Sequence, residues 1–445
     1  MCNSRKIRII VYNILVIFLG TPILAVADDA TTSSRRAKPA PLDSVFPSSE
    51  YPGPTLGVPN TDPIFPLTKA LWDACPGLKK NDIRLYGWIN PSFNLSTSKH
   101  SNVPMGFSIV PNRIELDQFV LRLERQPDTV QCDHLDWGFR FTNLFGIDYR
   151  ATIAQGLFSS QLLKRNKLYG FDPVEIYGQL YFPQVAEGML LTFGRYFSPP
   201  DIESSLAPEN YLFSHSLMNN YDASGMTGIN ATFMLNTQWT ILLGVHAGDD
   251  VAPWDRAAHI PTGQALVRWV SEDNDDSLWG GIDSINHGRF KGHHDNLQQF
   301  NLTWTHRFCP EFHILTEAYY LYQYHARLGG DCNFGPIKSF GGGGGCGPRI
   351  SGKSPVWGAV HYIEYKLSDK QFISTRFDYL DDVKGERTGF ATKYGSFTLG
   401  LSHAFTSLFS IRPEIRYEQA SRTKPYDNGK RKRQTTFGVD AIYRF

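Results

Sequence analysis

What most constrains this chain is a period of two. From Asp82 onward it is a succession of segments in which apolar and polar positions alternate, each followed by a turn-rich stretch. In the last segment Thr435, Phe437, Val439, Ala441, Tyr443 and Phe445 share one face, while Thr436, Gly438, Asp440 and Arg444 share the other; Ile442 alone breaks the pattern. Ile411, Pro413, Ile415 and Tyr417 alternate in the same way with Arg412, Glu414, Arg416 and Glu418. Successive side chains of a strand point to opposite faces, so each segment is predicted to be a strand with one apolar face.

The pattern gives sixteen strands, from 83–96 to 434–445, and the connections between them alternate strictly in length. Short ones fall near 126–134, 183–187, 236–238, 272–277, 308–311, 368–370 and 406–408, and long ones near 97–112, 148–172, 198–223, 248–262, 287–296, 326–354, 381–392 and 420–433. A soluble double-sheet fold has no reason to sort its loops by end. A transmembrane antiparallel up-and-down β-barrel does, with short periplasmic turns, long extracellular loops and an even strand number. Closure pairs every backbone polar group in the hydrocarbon layer. The 30 Phe, 21 Tyr and 9 Trp then supply interfacial girdles.

The ends fit export. Arg5, Lys6 and Arg8 precede an apolar run from Ile9 to Leu19, and Ala25-Val26-Ala27 follows, which predicts a signal peptide over 1–27. Residues 28–81 are rich in proline and read as a flexible periplasmic leader, in which only Phe65 to Trp72 has the pattern of a short helical or docking element. The barrel occupies 82–445. A net charge of +1 gives no electrostatic reason to expect nucleic acid as a partner. Tyr443 and Phe445, closing the last strand, have the form of a terminal signal for the barrel-assembly machinery.

The sequence resembles the OmpL-like family of β-barrel porins of the bacterial outer membrane. The resemblance rests on Tyr86-Gly87-Trp88-Ile89-Asn90-Pro91, Asp136-Trp137-Gly138-Phe139-Arg140, Gly194-Arg195-Tyr196 and Asn210-Tyr211-Leu212-Phe213-Ser214-His215-Ser216, and covers roughly Ile83 to Phe445. It implies an outer-membrane barrel with porin activity, and no particular substrate.

The expected function is passive diffusion of small hydrophilic solutes or ions through a water-filled lumen, with no cofactor and no reaction. The polar phase of the strands puts Arg122, Arg140, Arg268, Arg307, Arg376, Arg412, Arg416, Glu317 and Asp378 on the lumen wall. These charges either set a field in the lumen or pair across neighbouring strands and fill the wall. Loop 198–223, third among the long connections and rich in acids and aromatics, is the candidate constriction, with Asp201, Glu203 and Glu209 opposing wall arginines across the eyelet. A receptor or adhesin barrel with a plugged lumen, or a barrel hydrolase, is the alternative. Outer-membrane lipid and lipopolysaccharide are the expected surroundings, and the homotrimer is the candidate assembly.

Cys332 and Cys346 bracket a glycine-rich stretch and are expected to form a disulfide, which leaves Cys75, Cys132 and Cys309 at the short-turn end. A Cys75–Cys132 pair is favoured there because their strands neighbour each other. Gly347 to Ser354 matches the phosphate-loop pattern, but Pro355 opens a strand where the loop requires a helix. His287, His293, His294 and Asp295 lack metal-ligand spacing, and Ser214-His215-Ser216 is not by itself a catalytic pair. Lys430 to Arg433 form a basic cluster suited to solvent or anionic surface polysaccharide.

Overall fold

The computed structural model describes residues 56–58, 60, 62–258, 260–289, 296–329 and 347–445. Its sheet comprises β1 (Arg84–Ser96), β2 (Ile114–Arg125), β3 (Asp136–Gly146), β4 (Gly170–Phe182), β5 (Met189–Phe197), β6 (Gly225–Met234), β7 (Trp239–Asp249) and β8 (Thr262–Val270). It continues through β9 (Asp276–Ile285), β10 (Gln298–Cys309), β11 (Phe312–Tyr324), β12 (Lys353–Ser368), β13 (Gln371–Asp382), β14 (Thr392–Ala404), β15 (Phe409–Ala420) and β16 (Arg433–Arg444). Each strand pairs with its sequence neighbours, and β16 returns to pair antiparallel with β1, so the sheet is a closed barrel. These are the sixteen strands that the period of two predicts. No helix of the described residues is long and apolar enough to cross a membrane; the strands do the crossing.

Closure is complete to the last residue. Trp88 faces Arg444 and Phe93 faces Val439 across the seam, and beyond the final pair Gly87 and Phe445 exchange both backbone hydrogen bonds, at 3.1 and 2.9 Å. The register of β1 against β2 shifts between Asn90 and Pro91. A proline has no N–H for the ladder, and a bulge accommodates it.

The two faces separate as the alternation requires. Leu121, Phe141, Leu243, Phe377, Leu399 and Phe437 are exposed on the outside, where lipid lies, while the intervening polar residues are buried inside. Ile442 breaks the pattern for a reason visible in three dimensions. It faces inward and packs in a fully apolar cluster with Phe65, Trp88 and Val120.

That cluster exists because part of the expected leader is structured. Helices α1 (Pro66–Ala74) and α2 (Pro76–Lys80) each begin with proline, whose fixed φ suits a first helical turn. The Thr68 hydroxyl donates to the Leu85 carbonyl and the Trp72 indole to the Ile83 carbonyl, both at 2.7 Å, and Phe65 stacks on Tyr86 at 4.9 Å. Over these residues the segment is a docked element rather than a free tether.

Cys75, Cys132 and Cys309 are free and exposed, so the favoured Cys75–Cys132 bond is not made. Cys75 joins α1 to α2, and Cys132 lies in the β2–β3 turn with its thiol directed 3.6 Å from the Val130 carbonyl. The expected signal peptide and the Cys332–Cys346 pair fall outside the described residues.

Candidate pore constriction

Loop 198–223 lies against the inner wall, bonded to inward-facing side chains of strands on both sides of the seam. Thr303 of β10 donates to the Pro200 carbonyl at 2.5 Å, and Glu317 of β11 accepts the Ile202 N–H at 2.8 Å. On β2, Gln118 donates to the Ser205 carbonyl (2.9 Å) and accepts from the Ala207 N–H (3.1 Å). Arg412 of β15 donates to the carbonyls of Ala207 (2.8 Å) and Asn210 (2.6 Å), and Glu414 accepts the Ser214 N–H at 3.0 Å. Arg376 of β13 donates to the Ser214 and His215 carbonyls, and Arg416 to that of His215. A loop buried away from water must find partners for its backbone, and here the wall supplies them.

Apolar packing holds the same segment. Leu212, Leu217, Met218 and Tyr221 are buried with Val356, Val360 and Leu380 of the wall. The wall makes room by omitting side chains: a Cβ at Gly400 would lie 2.4 Å from a Leu212 methyl, and one at Gly438 would lie 2.8 Å from the Phe213 ring.

The three loop acids do not face arginines across open space, as the sequence suggests. Glu203 is pressed against the wall, where its carboxylate meets the Arg376 guanidinium at 3.1 Å, accepts the Tyr362 hydroxyl, and accepts the Ser216 N–H at 3.0 Å. Glu209 stands 3.7 Å from Arg122 and accepts the Ser204 hydroxyl at 2.6 Å. Asp201 accepts from the Asn301 amide at 3.2 Å and sits beside Asp222 and Glu317. Burial first, and then the neighbouring acids, push the Asp201 and Asp222 carboxyls well above their usual range.

The wall charges mostly pair with one another. Arg122 binds Glu175 at 3.0 Å, Arg140 binds Glu124 at 2.6 Å, Arg412 binds Asp440 at 2.5 Å and Arg416 binds Glu418 at 2.9 Å. Asp378 lies between Arg376 (3.4 Å) and Arg416 (3.8 Å). Arg307 continues the inward phase to the short-turn rim, where it meets Asp275 at 3.2 Å. Arg268 differs: its guanidinium lies over Trp279 at 5.5 Å, and its Nε and one terminal nitrogen are buried with no hydrogen-bond partner.

His215 is the loop's one imidazole. It stacks on Phe107 at 3.8 Å and its Nε2 meets the Ser204 carbonyl at 2.7 Å, a contact the neutral ring makes as donor. Burial, together with the nearby Arg376 and Arg412, pushes its pKa down to about 4 despite Glu203. Among the described residues no serine or carboxylate meets this ring at hydrogen-bond distance in the arrangement a hydrolase needs; Ser216 instead donates to Glu203.

Between the loop and the strands on the other side is a cavity of about 140 Å³. Arg140, Gln179, Thr192, Asn230 and Thr232 line it from β3 to β6, and Ser198, Asp201 and Ser205 from the loop. Neutral polar side chains dominate its wall side. Gln118 and Asn301, whose side chains bond to the loop, carry no sequence motif. The one trace of the docking is the spacing of Arg412 and Arg416 on one face of a strand.

The fold is that of bacterial porins. An anion-selective porin from Comamonas acidovorans superposes with a TM-score of 0.52 at 11% identity, covering 82% of this chain and 99% of that one. OmpT, an outer membrane protein of Vibrio cholerae, gives 0.49 at 12% identity over 82% and 97%, and the DcaP channel of Acinetobacter baumannii 0.47 at 11% over 82% and 97%. No curated protein matches the sequence. Residues 82–445, the whole barrel, match the family described as "Putative beta-barrel porin-2, OmpL-like", and the chain therefore belongs to this family of outer-membrane porins.

Proposed function

We propose that this porin passes small hydrophilic solutes through the polar space beside loop 198–223, and that the loop is its constriction. The observation that carries the reading is the asymmetry of the lumen. The loop is bonded to β2 and to β10–β15, while the cavity opens on the side of β3 to β6. A solute there meets amides and hydroxyls, which exchange hydrogen bonds with water and sugars alike without holding either tightly, and beside them the charged Arg140, Glu175, Asp201, Glu203 and Glu209. Selectivity in this geometry comes from width and from the few charges left uncompensated, since Glu203 and Glu209 already face Arg376 and Arg122.

Diffusion needs no catalytic group, and none is assigned. The outward apolar face meets lipid and lipopolysaccharide, and Tyr443 with Phe445 serves the assembly machinery. The test is single-channel conductance of the refolded barrel in planar bilayers under a salt gradient. Discrete, voltage-tolerant steps are expected; a barrel that inserts without conducting would favour a receptor or adhesin.

A further inference from the structure

Three carboxylates meet where loop 198–223 leaves and rejoins the wall. Asp201 comes from its outgoing leg, Asp222 from its return and Glu317 from β11, and one oxygen of each lies within 4.8 Å of the other two. Asn301 of β10 reaches into the group, its amide nitrogen 3.2 Å from Asp201 and 3.4 Å from Glu317. Both oxygens of Asp222, a residue 5% exposed, have no hydrogen-bond partner, and neither has the buried Asn301 Oδ1.

The surroundings offset the charge of the group only in part. Asp283 and Glu203 add negative charge nearby. Arg387, whose Nε donates to the Tyr221 carbonyl at 2.7 Å, is the facing cation and offsets part of this charge. Carboxylates withdrawn from water repel one another unless something positive stands between them.

An ion at the centre of a triangle of this size lies within about 2.8 Å of each oxygen, close to the roughly 2.3–2.6 Å that calcium takes with oxygen ligands in flexible geometry. Magnesium demands about 2.0–2.1 Å and retains its waters, so it fits less well. We propose that Asp201, Asp222 and Glu317 bind one calcium ion, with Asn301 Oδ1 as a fourth ligand after a half-turn of its amide. The ion ties both legs of the loop to β11 and supplies the partner that Asp222 lacks. The ligands come from positions 201, 222, 301 and 317, so no linear motif announces them. The site stands on its own geometry and does not depend on conduction.

The test uses the purified full-length barrel, stripped with chelator and titrated with calcium by calorimetry, alongside its heat-modification midpoint on gels. One saturable site per chain and a calcium-dependent rise in the midpoint are expected. Asp222→Asn and Glu317→Gln should each weaken binding at least tenfold. Asp222→Asn removes a repelled charge, so its metal-free barrel should be at least as heat-resistant as the unaltered one. Absence of saturable binding, or binding unchanged in both variants, would overturn the site; should one variant fail to fold, the other decides. Calcium binding by a barrel that does not conduct would sink the porin reading and leave this site intact.

Discussion

The Arg376 guanidinium and the Glu203 carboxylate meet at 3.1 Å, joining β13 to a loop residue 173 positions earlier in the chain. Both side chains are buried, and Arg376 is also bonded to the loop backbone at Ser214 and His215. Removing one partner of a buried pair strands the other, at a cost of about 3–5 kcal/mol. Arg376→Gln should therefore release the loop: larger, noisier single-channel currents and a lower heat-modification midpoint. Glu203→Gln should act in the same direction, and the double variant should be less destabilised than the two effects added together. Strict additivity would separate the pair from loop docking.

The strands were legible because each is a short-range pattern, and the barrel was legible because loop length sorted with strand direction. Even the exception at Ile442 carried information, though its cause, the packing of Phe65 and Trp88, comes from residues hundreds of positions away. The loop's entry could be guessed from its length and acids, but its manner could not. Glu203 and Arg376 share no local pattern, and Gln118 or Asn301 looks like any polar inward residue until the Ser205 carbonyl or the Asp201 carboxylate arrives beside it. The same limit holds for the expected transverse field: sequence shows which charges face inward, and only the fold shows that Glu203 and Glu209 meet Arg376 and Arg122 directly.

Arg268 is the wall arginine whose charge no described acid offsets within bonding distance. An uncompensated positive charge in a confined, poorly screened lumen favours anions. Arg268→Gln should move the reversal potential in a salt gradient toward cation preference while changing conductance little. Arg412→Gln, which breaks a pair with Asp440 and two bonds to the loop backbone, should instead disturb conductance through the loop. Equal reversal potentials for Arg268→Gln and the unaltered porin would remove Arg268 from the ion path.

Acid should loosen the loop through His215. Its folded pKa lies near 4, below the value of about 6.5 expected once the ring is free. Between those values the released loop takes up a proton that the docked loop refuses. The docked state is thus fully favoured above pH 6.5 and loses on the order of 3 kcal/mol as pH falls to 4. Asp201 and Asp222, pushed upward, act in the opposite sense, so the diagnostic is the difference between proteins. The unaltered porin should become noisier between pH 6.5 and 4 relative to His215→Gln; parallel profiles would exclude the imidazole.

Three thiols, Cys75, Cys132 and Cys309, are exposed and unbonded at the short-turn end. Peptide mapping of non-reduced protein should find all three fully alkylated. A Cys75–Cys132 cross-linked peptide would instead require the α1–α2 junction to shift onto the β2–β3 turn.

The segment before β1 should limit current at the periplasmic mouth. Leu56 packs with Tyr181, Leu190 and Met234 at the short-turn ends of β4 to β6, and the Gly57 N–H donates to the Thr129 hydroxyl at 3.0 Å in the β2–β3 turn. A few residues later the Asp62 carbonyl accepts from Arg84 at 3.2 Å, and Phe65 is held between Tyr86 and the guanidinium of Arg444, which lies 5.5 Å from its ring. Anchors on β4–β6 at one end and on β1 and β16 at the other carry the backbone from one side of the mouth toward the other. Phe65→Ala removes the apolar anchor and should cost about 3–5 kcal/mol of docking. Deleting residues 56–65 removes all of these anchors. Both changes should raise single-channel conductance, the deletion more, and leave ion selectivity unchanged, because residues 56–65 carry a single charge, Asp62. Conductance equal to that of the intact protein would put this segment outside the current path and leave loop 198–223 as the sole resistance.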